Sequence, residues 1–109
     1  MPANTVSRGN VLYQWIIAPT LTPVIVNTIT APEQSFTVPG LQMGDFVTVA
    51  PAIAQTAGVG ILTSRVSAAN TLTIQFVNPT AGNLTPVAGK YYVEILRPES
   101  PADLVANAN

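Results

Sequence analysis

The chain contains no histidine and no cysteine. Without histidine, the commonest general base and the commonest metal ligand are missing. Without cysteine there is no thiolate chemistry and no disulfide to hold the fold. Ser7, Ser35, Ser64, Ser67 and Ser100 have no imidazole to activate them as nucleophiles. The carboxylates are Glu33, Asp45, Glu94, Glu99 and Asp103. A glycosidase needs two of them across a cleft, and no spacing brings a pair such as Asp45 and Glu94 together. No Asp-x-Asp cluster suits calcium. Gly58-Val59-Gly60 runs into strand-like Ile61-Leu62-Thr63 without the helix and lysine of a phosphate loop, so it reads as a turn or bulge. The expectation is a protein that is not an enzyme and takes no cofactor and no metal.

Charge is the next scarcity. Charged residues make up 8% of the chain against 48% hydrophobic, where a soluble domain carries about a quarter charged. A disordered chain shows the reverse balance. The four basic residues, Arg8, Arg65, Lys90 and Arg97, are scattered. They form neither the cationic cluster that counter-ion release from nucleic acid requires nor a polybasic membrane anchor. Nucleic acid and membrane are therefore not expected partners. The surface must consist of Thr, Asn, Ser, Gln and apolar groups, whereas a freely soluble monomer usually carries more charge. Much of it is expected to be covered by another protein; the plainer account is a Thr/Asn-rich β surface. Met1-Pro2-Ala3-Asn4 lacks the basic start of a secretory signal, and the apolar stretch 11–18 is short and interrupted by Gln14. Synthesis in the cytosol is expected.

Helical periodicity is weak throughout. Ten prolines and seven glycines divide 109 residues into short runs of Val, Ile, Thr and aromatics, which is strand composition. About seven strands are expected, over 11–17, 24–30, 35–38, 45–49, 58–66, 71–77 and 90–97. In 71–77, Leu72, Ile74 and Phe76 share a dry face, and Thr71, Thr73 and Gln75 a wet one. In the last strand Tyr91, Val93 and Ile95 face with Arg97, opposite Tyr92, Glu94 and Leu96. Four residues, Ser67 to Asn70, form a hairpin link, and 78–83 is a turn cluster. The fold class is all-β, a small antiparallel β-sandwich or barrel. Its core is expected to contain Phe36, Val47, Leu72, Ile74, Phe76, Val93 and Ile95.

The chain divides into an N-terminal arm (1–10), a β domain (11–97) and a C-terminal tail (98–109). A ten-residue extended arm reaches up to about 33–36 Å, enough to cross onto a neighbour and add a strand to an exposed edge. Ser100 is a possible cap for a short helical turn in the tail, with Pro101 at its first position. Candidate interface residues are Arg8, Val11, Tyr13 and Trp15 at one end and Leu104 and Val105 at the other. Tyr13 and Trp15 share a strand face and read either as a core-edge pair or as interface anchors. Together with Tyr91 and Tyr92 they are the aromatics a carbohydrate platform would use. Asp45 reads as a turn residue or, less plainly, a ligand carboxylate. Arg65 reads as solvent-facing, as a structural ion pair with Asp45 or Glu94, or as an intersubunit bridge.

The ordered set Val38-Pro39-Gly40-Leu41-Gln42-Met43-Gly44-Asp45-Phe46-Val47-Thr48-Val49, Gly58-Val59-Gly60-Ile61, Arg65-Val66-Ser67-Ala68, Leu72-Thr73-Ile74-Gln75-Phe76-Val77-Asn78 and Leu84-Thr85-Pro86 to Gly89-Lys90-Tyr91-Tyr92-Val93 resembles small β-rich virion proteins of tailed bacteriophages. These include capsid decoration, or cement, proteins and head-fibre pieces. The resemblance covers roughly residues 36–97 and rests on the order of its parts, since each is ordinary turn-and-strand chemistry. It implies a sandwich-like subunit, made in the host cytoplasm and seated on the capsid exterior. Its implied partners are the major capsid protein and its own copies as a homo-oligomer, most often a trimer. It brings no catalytic residues. The alternative is a carbohydrate- or surface-binding β module, such as a head-fibre or tail-associated adhesin piece.

Overall fold

A computed structural model of the chain describes residues 11–98, and Arg8, Leu104, Val105 and the tail's Ser100 cap lie outside them. The described residues contain seven strands and no helix. They are β1 (Val11–Ile17), β2 (Thr20–Leu21), β3 (Glu33–Thr37), β4 (Phe46–Pro51), β5 (Gly60–Ala68), β6 (Thr71–Val77) and β7 (Gly89–Pro98). All pairings are antiparallel. They form two sheets, consistent with a small sandwich and not a closed barrel. In the larger, β7 lies between β4 on one side and β1 with β2 on the other. In the smaller, β6 lies between β3 and β5.

β1 and β2 occupy one lane. Ile17 pairs with Val93 and Thr20 with Lys90, so the register carries on across the break. Proline has no N–H to add to a ladder, yet the Pro19 carbonyl still accepts from the Tyr91 N–H at 2.9 Å. The other edge of β7 is held by β4, from Phe46↔Leu96 to Pro51↔Tyr91.

The two central strands supply the core. Leu72, Ile74 and Phe76 of β6, and Tyr91, Val93 and Ile95 of β7, are fully buried, joined by Leu21, Val26, Val38, Leu41, Val59 and Val66. Phe36 and Val47, expected in the core, are half-buried and pack against it from flanking strands. The Tyr91 hydroxyl is buried with its ring; it donates to the Val87 carbonyl at 2.6 Å and accepts from the Gln55 amide at 3.3 Å. Burial pushes its pKa up.

Residues 24–30 are not a strand. Their backbone ladder pairing is limited to two isolated bridges, Val26↔Leu84 and Thr30↔Asn78. Side chains take the place of a strand neighbour here. The Gln34 amide accepts from the Val24 N–H and donates to the Val24 carbonyl, both at 2.9 Å. Asn83 accepts from the Thr28 N–H at 2.9 Å. A turn then places Ile29 at φ 55°, a left-handed conformation that β-branched residues avoid. The β5–β6 hairpin is also tighter than expected, since the strands run to Ala68 and from Thr71. Asn70 takes the positive φ, 58°, as asparagine tolerates. Gly58-Val59-Gly60 does form a turn. Gly58 has φ 92°, and a Cβ there would lie 2.8 Å from Thr80 Cγ2, so only glycine fits.

The 78–83 turn is organised by Asn78, which is fully buried. Its amide N–H groups donate to the carbonyls of Val26 (3.0 Å) and Gly82 (2.9 Å). Its amide oxygen accepts from the Thr80 N–H (3.0 Å) and hydroxyl (2.6 Å). Asn78→Ala is expected to cost about 2–3 kcal/mol, because several buried groups lose partners at once. Asn78→Asp should cost more, since its carboxylate would face two carbonyl oxygens. Urea denaturation of the three proteins checks the order.

Candidate interaction face

The two sheets turn opposite kinds of surface outward. On the smaller sheet, register places Glu33, Gln75 and Thr63 in one row and Ser35, Thr73 and Arg65 in the next. Thr73 exchanges hydrogen bonds with Ser35 (2.9 Å) and Ser67 (2.7 Å). The Arg65 guanidinium reaches across the middle strand and donates twice to Glu33, at 2.9 and 3.0 Å. This charge pair lowers the Glu33 pKa and raises that of Arg65, the mutual hydrogen bond being the main cause. The expected partners of Arg65, Asp45 and Glu94, are thus replaced by Glu33, which register places two strands away on the same face. Thr73, read from alternation as wet, is 2% exposed because its neighbours' hydroxyls and the ion pair cover it. On this face polar groups largely bond one another.

The larger sheet presents an apolar face. Gln14, Leu96 and Phe46 form one row, Ile16, Glu94 and Thr48 the next, and Tyr92 with Ala50 a third. Phe46 is 58% exposed, Ile16 66% and Tyr92 50%. Met43, just before β4, is exposed as well. Within these rows the one charged side chain, Glu94, accepts from the Gln14 amide at 3.1 Å. Strand alternation explains the arrangement. Val47 and Val49 of β4 point to the core, which turns Phe46, Thr48 and Ala50 outward.

One corner of this sheet is locked by charge. Asp45 is buried, and its carboxylate accepts from Arg97 Nε at 2.9 Å and Nη2 at 2.8 Å. The Gln42 N–H donates to it at 2.9 Å, and Arg97 also donates to the Gly40 carbonyl at 2.7 Å. Burial pushes the Asp45 pKa up, but the Arg97 hydrogen bonds, the Gln42 N–H and the Arg97 charge outweigh it and hold the carboxyl below its ordinary value. Trp15 stacks on the same guanidinium, 5.0 Å from ring centroid to Cζ.

Of the expected interface residues within the described chain, Tyr13 and Trp15 sit together at this corner, rings edge-to-face at 6.2 Å. Tyr13 is exposed and Trp15 half-buried, and Val11 is half-buried at the strand's start. The four aromatics of a carbohydrate platform are not brought together. Tyr91 is buried, and Tyr92 points to the face opposite Tyr13 and Trp15. Asp45 and Glu94 likewise lie on opposite sides of the sheet. Among the described residues no three His, Cys, Asp or Glu side chains converge as metal ligands. Phe46, Ile16 and Met43 did not stand out in the sequence; only the alternation around Val47 signals that Phe46 faces outward.

Comparison with known protein families, curated proteins and solved structures finds no match for this chain.

Proposed function

We propose that this chain is a non-catalytic virion structural protein that decorates a tailed-phage capsid, binding major capsid subunits as a homo-oligomer on the exterior of the shell. The observation that carries this reading is the apolar outer face of the larger sheet around Phe46, Ile16 and Tyr92. Exposed large apolar side chains gathered on one face mark interaction sites, and aromatic side chains with few charges are the composition of an interface core; here they surround the single charge of Glu94. The opposite face, with its polar groups bonded to each other, remains toward solvent. Binding would act through area and repeated copies on a lattice.

The test is co-sedimentation with empty capsids that lack this protein. Phe46→Asp is expected to weaken binding by about thirtyfold or more, as loss of an aromatic hot spot does. Thr71→Asp, on the polar sheet, should leave binding and its fixed stoichiometry unchanged. Equal binding by Phe46→Asp and the parent would remove this face from the interface. Absence of saturable binding by the parent would defeat the capsid reading itself.

A further inference from the structure

We propose that β1 pairs, antiparallel and edge to edge, with β1 of a second copy of this chain, about a two-fold axis at Gln14. This does not depend on the capsid reading.

β1 lies at the edge of the larger sheet, and among the described residues β7 is its sole strand neighbour. An edge strand presents unpaired N–H and C=O groups, and proteins usually blunt such edges with charge, proline or bulges. The other outer strands carry these devices. β3 contains Glu33 and follows Pro32. β5 contains Arg65 and is interrupted at two register shifts. β4 ends on Pro51, and its Val47 carbonyl already accepts from Ser64 at 3.2 Å. β1, Val-Leu-Tyr-Gln-Trp-Ile-Ile, has no charge and no proline. Its register shift falls between Val11 and Tyr13, at the strand's start, and pairing is regular from Tyr13 to Ile17.

The order of side chains selects a second copy as the occupant. Read outward from Gln14, the strand meets an aromatic on each side, Tyr13 and Trp15, and then a large aliphatic on each side, Leu12 and Ile16. An antiparallel pair centred on Gln14 therefore sets Tyr13 against the second copy's Trp15, twice, and brings Leu12, the residue at the register shift, beside its Ile16. Gln14 meets Gln14, amide to amide. Aromatic and aliphatic cross-strand pairs of this kind stabilise a sheet. A shift of the axis to Trp15 would instead set Gln14 against Ile16. With no charge in the strand, the pairing brings no like charges together. Leu12, Tyr13 and Ile16, now 45%, 57% and 66% exposed, are the side chains it covers. An isologous contact of this kind closes at two copies, so it differs from the three-fold assembly that the resemblance implies.

The chain has no cysteine, which allows a direct test. Residues opposite one another in an antiparallel pair have Cα atoms about 4.5–5.5 Å apart, within disulfide range. In the full chain, Gln14→Cys is expected to form a covalent dimer under mild oxidation at least about tenfold faster than Thr63→Cys on the polar sheet, because pairing raises the thiols' effective concentration. Sedimentation of the unmodified chain should give the mass of two copies, and Ile16→Lys should shift it to one while circular dichroism stays β. A monomer at about 100 µM, where even a Kd of 10 µM would leave most chains paired, would overturn the proposal. So would a mass of three unaffected by Ile16→Lys, or cross-linking of Gln14→Cys no faster than that of Thr63→Cys.

Discussion

Phe76→Ala is expected to lower the unfolding free energy by about 3–5 kcal/mol, the range for truncating a buried aromatic. Phe76 is fully buried in β6, the middle strand of the smaller sheet, and belongs to the same cluster as Tyr91, Val93 and Ile95 of β7. Its loss leaves a cavity between two sheets whose main chains are each fixed by ladders on both sides of the central strand, so neither can easily collapse inward. In a domain of this size each kcal/mol moves the thermal midpoint by about 4–8 °C. A calorimetric scan should therefore show a fall of at least about 12 °C. A midpoint equal to the parent's would mean that Phe76 does not join the sheets.

Asp45→Ala is expected to be nearly as costly, toward the lower part of the roughly 3–5 kcal/mol for breaking a buried pair, because Arg97 keeps some access to water. The Asp45 and Arg97 side chains are 1% and 16% exposed. Removing the carboxylate leaves the guanidinium beneath Trp15 without its charge partner and releases the Gln42 N–H, so of these ties between the 40–45 loop and β7 the Arg97 bond to the Gly40 carbonyl alone remains. The pair also sets a pH dependence. The folded Asp45 carboxyl has its pKa below the ordinary value, so its contribution is fully present above the unfolded carboxylate range, about pH 4, and is lost as pH falls through the folded value. Glu33 acts in the same sense but is exposed and screened, and its share is small. Denaturant midpoints from pH 7 down to pH 2 should fall for the parent and fall distinctly less for Asp45→Ala. Parallel curves would show that another carboxylate governs acid unfolding.

What could be read from the sequence follows from how local each feature is. β6 was legible to its end residues because Leu72, Ile74 and Phe76 alternate with polar groups between turns. In β7 the sequence divides the residues correctly into two faces, and Val93 and Ile95 are buried as expected, but both faces carry apolar groups, so the burial of Tyr91 beside them was not legible. Residues 24–30 have strand composition, but their backbone is satisfied by the side chains of Gln34 and Asn83, a substitution that no local pattern announces. Thr73 looked wet because alternation cannot foresee an ion pair arching over it from two other strands. The partner of Asp45 lies 52 residues away, and only the register of β4 on β7 brings the two together. The apolar face was half-legible: placing Val47 inward already placed Phe46 outward, but its rows with Leu96, Ile16 and Tyr92 depend on pairings between three distant stretches of chain.

Val11 and Pro98 are Cα partners at the open end of the β1–β7 ladder, so the two ends of the domain leave from a single corner. This sets how the domain answers force. Tension applied between the ends loads the outermost hydrogen bonds first and peels β1 from β7 pair by pair, like a zip, because ladder bonds run perpendicular to the strands. Load arriving across the broad faces is instead shared by the whole packed interior. A domain built this way resists load pressed across its faces and yields first when tugged by its ends.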